Sequence, residues 1–174
     1  MPTKDTNIYL VGYRCTGKTA VGRALALRLD WKFFDTDTII TAAEERSIAR
    51  IVADRDWPYF RALETECLQQ LARQTSIVAA TGGGIVLNPA NIDYMQDSGT
   101  IIWLTARPDT ILGRLVQDPA TAASRPALTG QTSDEEIVTS LEARRHLYRR
   151  AADFTVATDD TGPDDIAATI LKLL

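Results

Sequence analysis

The sequence predicts a three-layer α/β fold, in which helices cover both faces of a central five-stranded parallel sheet. Two patterns predict it. Short apolar segments alternate with segments of helical periodicity along the chain, and parallel strands need connections of helix length. The run Ile101–Leu104 is continuously apolar, which is typical of a strand buried on both faces.

The elements follow one another in a regular order. Strands are expected at Ile8–Val11, Lys32–Asp35, Ser76–Ala80, Thr100–Leu104 and Phe154–Ala157. Apolar residues that recur about every 3.6 positions indicate helices. These are expected at Lys18–Leu29, Asp37–Glu45, Trp57–Arg73, Pro89–Gln96, Pro108–Val116, Asp134–Ala152 and Pro163–Leu174.

One segment, 117–132, interrupts this alternation. It is rich in Ala, Thr, Ser, Pro and Gly and has no sustained apolar period. Long loops inside a compact domain are uncommon and often act as lids or binding loops. We expect a mobile lid here, with Arg125 near its middle; the alternative is a plain surface insertion.

Length and composition limit the class of protein. The 174 residues are 45% hydrophobic and 24% charged, with a net charge of −4, which argues against a nucleic-acid-binding body. Two cysteines are too few for a disulfide framework, and no apolar run approaches the ~20 residues of a membrane helix. We expect a single cytoplasmic domain over residues 1–174, monomeric, with neither a nucleic-acid nor a membrane partner.

The strongest motif is Gly12–Thr19, which matches G-x-x-x-x-G-K-[ST] between the first strand and the first helix. Gly12 and Gly17 permit backbone angles that let successive N–H groups converge on phosphate oxygens. The helix that follows adds its dipole and its unpaired N–H donors. Lys18 is expected to reach the β- and γ-phosphates, and the Thr19 hydroxyl to bind Mg²⁺.

Two carboxylates, Asp35 and Asp37, follow the second strand. Ligands of open α/β sheets bind at the carboxyl edge of the strands. One carboxylate can therefore face a metal ion while the other faces an acceptor hydroxyl. The alternative is helix capping, which accounts for one of the two acids but not for the pair.

Three glycines, Gly82, Gly83 and Gly84, directly follow the third strand. They leave bare backbone at the same edge of the sheet, where a ligand can approach closely. A plain turn is the alternative.

Two arginines lie on predicted helices. Arg144 falls on the apolar face of its helix and is expected to point inward, where a guanidinium pairs well with a carboxylate. Arg61 lies one turn before Glu64, and for it an exposed ion pair of little energetic value is the alternative.

The ordered set of motifs resembles the shikimate kinase family over essentially the whole chain. The matching elements are Gly12–Thr19, Asp35-Thr36-Asp37, Ser47-Ile48-Ala49, Phe60-Arg61-x-x-Glu64, Gly82-Gly83-Gly84, Arg125-Pro126-x-Leu128 and Arg144-x-x-Leu147-Tyr148. The resemblance implies a P-loop kinase of the nucleoside monophosphate kinase type. The resemblance to shikimate kinases also implies the reaction, which is transfer of the γ-phosphate of ATP to the 3-hydroxyl of shikimate, in the pathway to chorismate and the aromatic amino acids.

The resemblance also implies roles for individual residues. Lys18, Asp37 and Arg125 would be catalytic, with Asp37 accepting the hydroxyl proton and Arg125 closing from the lid onto ATP. Thr19 would bind Mg²⁺ directly and Asp35 through water. The implied ATP-binding residues are Gly12, Arg14, Cys15, Thr16, Gly17, Lys18, Thr19 and Arg125. The implied acceptor-binding residues, with an acceptor region at about 35–64, are Asp37, Arg61, Gly82, Gly83, Gly84 and Arg144.

Some positions depart from the family pattern. Val52 stands where an aromatic residue often lines the acceptor pocket, Asp56-Trp57 stands where a Gly-Glu pair is common, and Cys15 replaces a glycine of the phosphate loop. These departures concern the packing of the acceptor more than the residues that carry the chemistry.

Three other interpretations compete. One is a degenerate kinase retained as a binding module, against which all the expected charged groups are present. A kinase of similar build that acts on gluconate or a nucleoside monophosphate shares the phosphate loop, and gluconate also carries a carboxylate. A GTPase switch reads guanine with an Asn-Lys-x-Asp motif. None of the three asparagines precedes a lysine, which argues against such a switch.

Overall fold

The computed structural model describes residues 6–117 and 133–174. Within these parts of the chain, five strands form one sheet in the order β2-β3-β1-β4-β5, and every pairing is parallel. The strands are β1 (Asn7–Val11), β2 (Lys32–Asp35), β3 (Ile77–Ala80), β4 (Gly99–Thr105) and β5 (Phe154–Ala157). The predicted α/β fold with a central parallel sheet is confirmed.

Eight α-helices and one short 3₁₀ helix (Ile85–Leu87) connect and cover the strands within the described residues. The α-helices are α1 (Lys18–Leu29), α2 (Thr36–Glu44), α3 (Ile48–Arg55), α4 (Trp57–Ala72), α5 (Pro89–Ser98), α6 (Pro108–Gln117), α7 (Ser133–Ala151) and α8 (Pro163–Leu173). None of these helices has the length and apolar character that crossing a membrane requires. The predicted lid and its Arg125 lie outside the described residues, apart from Gln117, which ends α6.

The sheet is buried on both faces, as the continuous apolar run in β4 predicts. Alternate residues of β1 enter opposite cores: Tyr9 and Val11 pack on the face covered by α3, α4, α5 and α7, whereas Ile8 and Leu10 pack on the face covered by α1 and α8. A third apolar cluster around Tyr13 lies between the phosphate loop and helices α6 and α7. Both faces are therefore occupied, and a ligand reaches the sheet at its edge.

Helix α3 and the 3₁₀ helix are absent from the sequence prediction, and the prediction is wrong there. In α3 only Ile48 and Ile51 are buried among eight residues, so its apolar period is too short to recognise. The helix begins where the Ser47 hydroxyl accepts a hydrogen bond from the backbone N–H of Arg50, at 3.3 Å. Ser47 is thus an ordinary N-cap, and it places Ile48 at the rim of the sheet edge.

A single strained residue, Asp56, joins α3 to α4. Its φ is 110°, a value that residues other than glycine adopt only under strain. Its carboxylate accepts a hydrogen bond from the Tyr59 N–H at 2.9 Å and so caps α4. Asp56 therefore combines an unfavourable backbone conformation with a favourable cap.

We expect Asp56→Gly to raise the free energy of unfolding by about 1 kcal/mol. The glycine removes backbone strain worth about 1–3 kcal/mol, and it loses a few tenths of a kcal/mol from the cap and about 0.5–1 kcal/mol from chain entropy. Asp56→Ala is the control, because it keeps the strain and loses the cap, and it should lower the free energy by about 1 kcal/mol. Urea denaturation of both variants measures this. Equal destabilisation by the two would contradict the strain.

Candidate active site

Three strand ends meet at the carboxyl edge of the sheet. The register places Asp35 beside Ala80, and Ala80 beside Leu10. The loops that follow are joined by hydrogen bonds, from the Thr81 N–H to the Leu10 carbonyl at 3.1 Å and from the Gly82 N–H to the buried Thr36 hydroxyl at 3.0 Å. The phosphate loop, the two aspartates and the three glycines are thereby held side by side, as predicted from their positions after the strands.

The phosphate loop curves around the ammonium group of a lysine. The Lys18 ammonium is buried and donates to the carbonyls of Gly12 and Tyr13, at 2.8 and 2.7 Å. Left-handed backbone angles occur at Gly17 (φ 89°) and at Cys15 (φ 59°). A Cβ on Gly12 would collide with the Leu104 carbonyl of β4, so this position requires glycine. A backbone shaped in this way, at the start of α1, is suited to bind phosphate.

Sequence reasoning missed two residues that support this loop, Arg114 and Thr158. The Arg114 guanidinium donates to the Cys15 carbonyl at 3.0 Å and to the Thr158 hydroxyl at 3.1 Å. The Thr158 hydroxyl in turn donates to the Thr16 carbonyl at 3.0 Å. Both residues sit at the carboxyl edge, after β4 and β5. Their positions after these two strands could have identified them, but neither residue belongs to a recognisable motif.

Asp35 caps the helix that follows it, and its second carboxylate oxygen contacts the phosphate loop. One carboxylate oxygen accepts from the Thr38 N–H at 3.2 Å and caps α2, while the other accepts from the Thr19 hydroxyl at 2.7 Å. The hydroxyl and the carboxylate form an oxygen-donor pair beside the phosphate loop. Within the described residues no group of three or more His, Cys, Asp or Glu side chains could hold a metal. The pair fits a hard divalent cation that takes its remaining ligands from phosphates and water.

Two clefts open at this edge. The phosphate-loop cleft is lined by Lys18, Thr19 and Asp35 among other residues. The arginine cleft lies beside it and shares some of its lining residues. The arginine cleft brings together every predicted acceptor residue, namely Asp37, Arg61, Gly82, Gly83, Gly84 and Arg144.

Arg61 is held by a buried partner rather than by an exposed one. Its guanidinium pairs with Glu64 Oε2, and the Glu64 side chain is only 1% exposed. The other carboxylate oxygen, Oε1, is buried with no hydrogen-bond partner in the described parts of the chain. Burial raises the pKa of Glu64, and the positive charge of Arg61 opposes this rise. The alternative of an exposed ion pair is therefore wrong.

Arg144 lies, as predicted, on the inner side of its helix. Its guanidinium donates to the Gly83 carbonyl at 3.3 Å, and the Tyr148 hydroxyl donates to the same oxygen. Burial raises the pKa of Tyr148 to about 12, so this phenol stays protonated at neutral pH and acts as a donor. The two donors fix the glycine segment against α7.

The aromatic wall of the arginine cleft comes from a position that the sequence analysis treated as a departure. Val52 is partly buried and packs against the core, whereas Trp57 lines the cleft and makes an edge contact with Phe60 at 6.0 Å between ring centroids. The Arg61 guanidinium lies 5.0 Å from the centre of the Trp57 ring, a cation–π contact. Trp57 thus forms part of the cleft wall and also orients Arg61.

The charges of the arginine cleft favour an anionic ligand. Among the described residues that line it, Arg14, Arg61 and Arg144 face two acids, Asp37 and Glu64. Three guanidinium groups against two carboxylates leave the cleft with an excess of positive charge. A carboxylate ligand would complete it.

Comparison with known proteins gives one consistent result. A family described as shikimate kinase matches residues 14–174. A shikimate kinase of Syntrophus aciditrophicus is 39% identical over 97% of this chain and 90% of its own length. The solved structure of a shikimate kinase from Acinetobacter baumannii in complex with shikimate superimposes with a TM-score of 0.90. It is 33% identical and covers 97% of this chain and 92% of that one.

A gluconokinase structure from Sinorhizobium meliloti is a more distant match. Its TM-score is 0.55 at 16% identity, over 99% of this chain and 95% of that one. At that identity the similarity concerns the fold alone.

We expect the raised pKa of Glu64 to make the stability of the protein depend on pH. A carboxyl group that binds its proton more tightly in the folded state stabilises the fold below its unfolded pKa, and this contribution is lost as the pH rises through the folded pKa. Glu64→Gln keeps the size of the side chain and cannot titrate. From pH 4 to pH 8, the free energy of unfolding of the wild type should therefore fall relative to that of the variant, as urea denaturation at each pH would measure. A difference that does not change with pH would contradict the raised pKa.

Proposed function

The chain belongs to the shikimate kinase family, and we propose on that premise that it transfers the γ-phosphoryl group of ATP to the 3-hydroxyl of shikimate, giving shikimate 3-phosphate and ADP. One observation carries this function most directly. The phosphate-loop cleft and the arginine cleft share a boundary, and Asp37 lines both. A carboxylate on that boundary lies between a bound nucleotide and a bound acceptor.

Asp37 is the proposed proton acceptor. The acceptor hydroxyl oxygen forms a bond to the γ-phosphorus, the bond from this phosphorus to the β,γ-bridging oxygen breaks, and ADP leaves with the electron pair. The hydroxyl proton passes to the Asp37 carboxylate. Lys18 and the N–H groups of the loop balance the charge on the phosphates, because phosphoryl transfer depends on positioning and charge neutralisation more than on covalent chemistry.

The carboxylate of the acceptor is proposed to bind between Arg61 and Arg144. Arg61 is oriented by Glu64 and Trp57, and Arg144 is oriented by the Gly83 carbonyl. Guanidinium groups that are already fixed lose little entropy when they bind an anion. The flat walls of Trp57 and Phe60 suit a ring better than the open chain of gluconate, which favours shikimate over the alternative acceptor.

The Thr19 hydroxyl and the Asp35 carboxylate fit the Mg²⁺ ion that accompanies ATP. Both supply oxygen, lie 2.7 Å apart and adjoin the phosphate loop, a donor set suited to an ion shared with phosphates. When bound, the ion neutralises phosphate charge. Arg125 is proposed as a further contact to ATP from outside the described residues.

The first test is the release of ADP with ATP and Mg²⁺ held fixed, in the presence of shikimate, of gluconate or of no acceptor. We expect shikimate alone to stimulate release strongly. Asp37→Asn should lower kcat by about 10²- to 10⁴-fold with the fold intact, because it removes the proton acceptor. Stimulation by gluconate instead would reassign the arginine cleft.

A second test separates Arg144 from its neighbour on α7. Arg144→Met should raise the KM for shikimate by about 10- to 100-fold, since a hydrogen bond to a charged group contributes about 1.5–3 kcal/mol. Arg145→Met is the matched control, because Arg145 is exposed and pairs with Glu142 on the surface at 2.9 Å. It should leave the KM within about twofold. Equal effects of the two variants would show that Arg144 does not bind the acceptor.

A further inference from the structure

The boundary between the two clefts carries a second charged residue. Among the described residues, three line both the phosphate-loop cleft and the arginine cleft, namely Arg14, Asp37 and Ile48. Ile48 is apolar and buried. Asp37 and Arg14 are therefore the charged groups past which a phosphoryl group moves when it leaves the nucleotide for the acceptor.

Arg14 reaches this boundary from the phosphate loop itself. Its side chain is half-buried and its Nε is fully buried. Its guanidinium carbon lies 5.6 Å from the centre of the Tyr13 ring, and that of Arg144 lies 6.0 Å from the same ring. Arg14 is thus directed toward the wall that the arginine cleft shares with the loop.

The glycine segment lies beside the loop that carries Arg14. An ideal Cβ on Gly83 would lie at ordinary van der Waals distance from that loop, 3.4 Å from the Gly12 carbonyl oxygen and 3.5 Å from the Arg14 backbone nitrogen. The backbone that carries Arg14 therefore adjoins the glycine segment of the arginine cleft.

We propose that the Arg14 side chain binds the phosphoryl group during its transfer, in addition to the phosphate contacts that the backbone N–H groups of the loop make. This inference rests on the proposed function. In the transition state charge spreads over the three equatorial oxygens of the γ-phosphorus, and a planar guanidinium can donate to two of them at once. Lys18 lines the phosphate-loop cleft alone, whereas Arg14 also lines the arginine cleft, where the acceptor is proposed to bind.

Arg14 differs in this respect from the other two arginines of the cleft. Arg61 and Arg144 line the arginine cleft but not the phosphate-loop cleft, whereas Arg14 lines both. They are placed to bind the ground state of the acceptor. Arg14 is placed where the charge of the reacting group changes.

The test compares Arg14→Met with Arg14→Lys in the full chain. We expect Arg14→Met to lower kcat about 100-fold or more, since an arginine that stabilises this transition state is worth about 10³–10⁵ in rate in related chemistry. The KM values for shikimate and ATP and the melting temperature should stay close to those of the wild type. Arg14→Lys restores the charge without the planar fork and should recover part of the loss.

A second readout excludes a merely structural role. ADP, Mg²⁺ and aluminium fluoride together mimic the phosphoryl group in transfer, and with shikimate present they should bind the wild type more tightly than ADP and Mg²⁺ alone. Arg14→Met should abolish most of this gain and leave the affinity for ADP and Mg²⁺ unchanged. A similar gain in both proteins would overturn the inference.

The possible failures can be told apart. If the wild type does not phosphorylate shikimate, the proposed function is wrong. If the wild type is active and Arg14→Met has an unchanged kcat, Arg14 does not contact the reacting group. An unchanged kcat with a raised KM for shikimate would make Arg14 a third clamp for the carboxylate and would likewise overturn the inference.

Discussion

The parallel register of β2, β3 and β1 is the constraint on which the site depends. It brings the ends of three strands to one level, and hydrogen bonds from Thr81 to Leu10 and from Gly82 to Thr36 hold the loops beyond them together. Because both faces of the sheet are covered, this edge is where polar backbone and charged side chains can meet a ligand. A phosphate loop, two carboxylates and a bare glycine segment come together because the strands that precede them are neighbours.

The candidate site is rich in positive charge, although the molecule as a whole is negatively charged. The chain carries a net charge of −4, yet three arginines enter one small cleft. Burial fixes the position of Arg61, because Glu64 pairs with it in an environment where an unpaired charge would be costly. Glu64 does not cancel the cleft's attraction for anions, since three arginines line the cleft together with only two acids. The positive character of this cleft thus follows from fixed guanidinium positions rather than from the overall charge of the molecule.

Periodicity and motif spacing predicted the fold and most of the candidate site, because strands buried on both faces and a phosphate loop leave strong local patterns. Helix α3 escaped because only Ile48 and Ile51 of its eight residues are buried. Arg114 and Thr158 escaped because their partners are backbone carbonyls 99 and 142 positions away in the chain, and no local pattern records such a contact. The burial of Glu64 depends on the packing of α4 against the glycine segment, so the sequence left Arg61 open to two interpretations.

The place of Trp57 has an optical consequence. Its indole lies against the Arg61 guanidinium in the wall of the arginine cleft, whereas another tryptophan, Trp103, stacks on Tyr148 at 5.7 Å. If the proposed acceptor binds Arg61, its negative charge will change the electric field at the Trp57 ring, and the emission of this ring should shift. Trp57 would then serve as an intrinsic fluorescent reporter of acceptor binding, one that requires no label and senses the cleft before any phosphoryl group has moved.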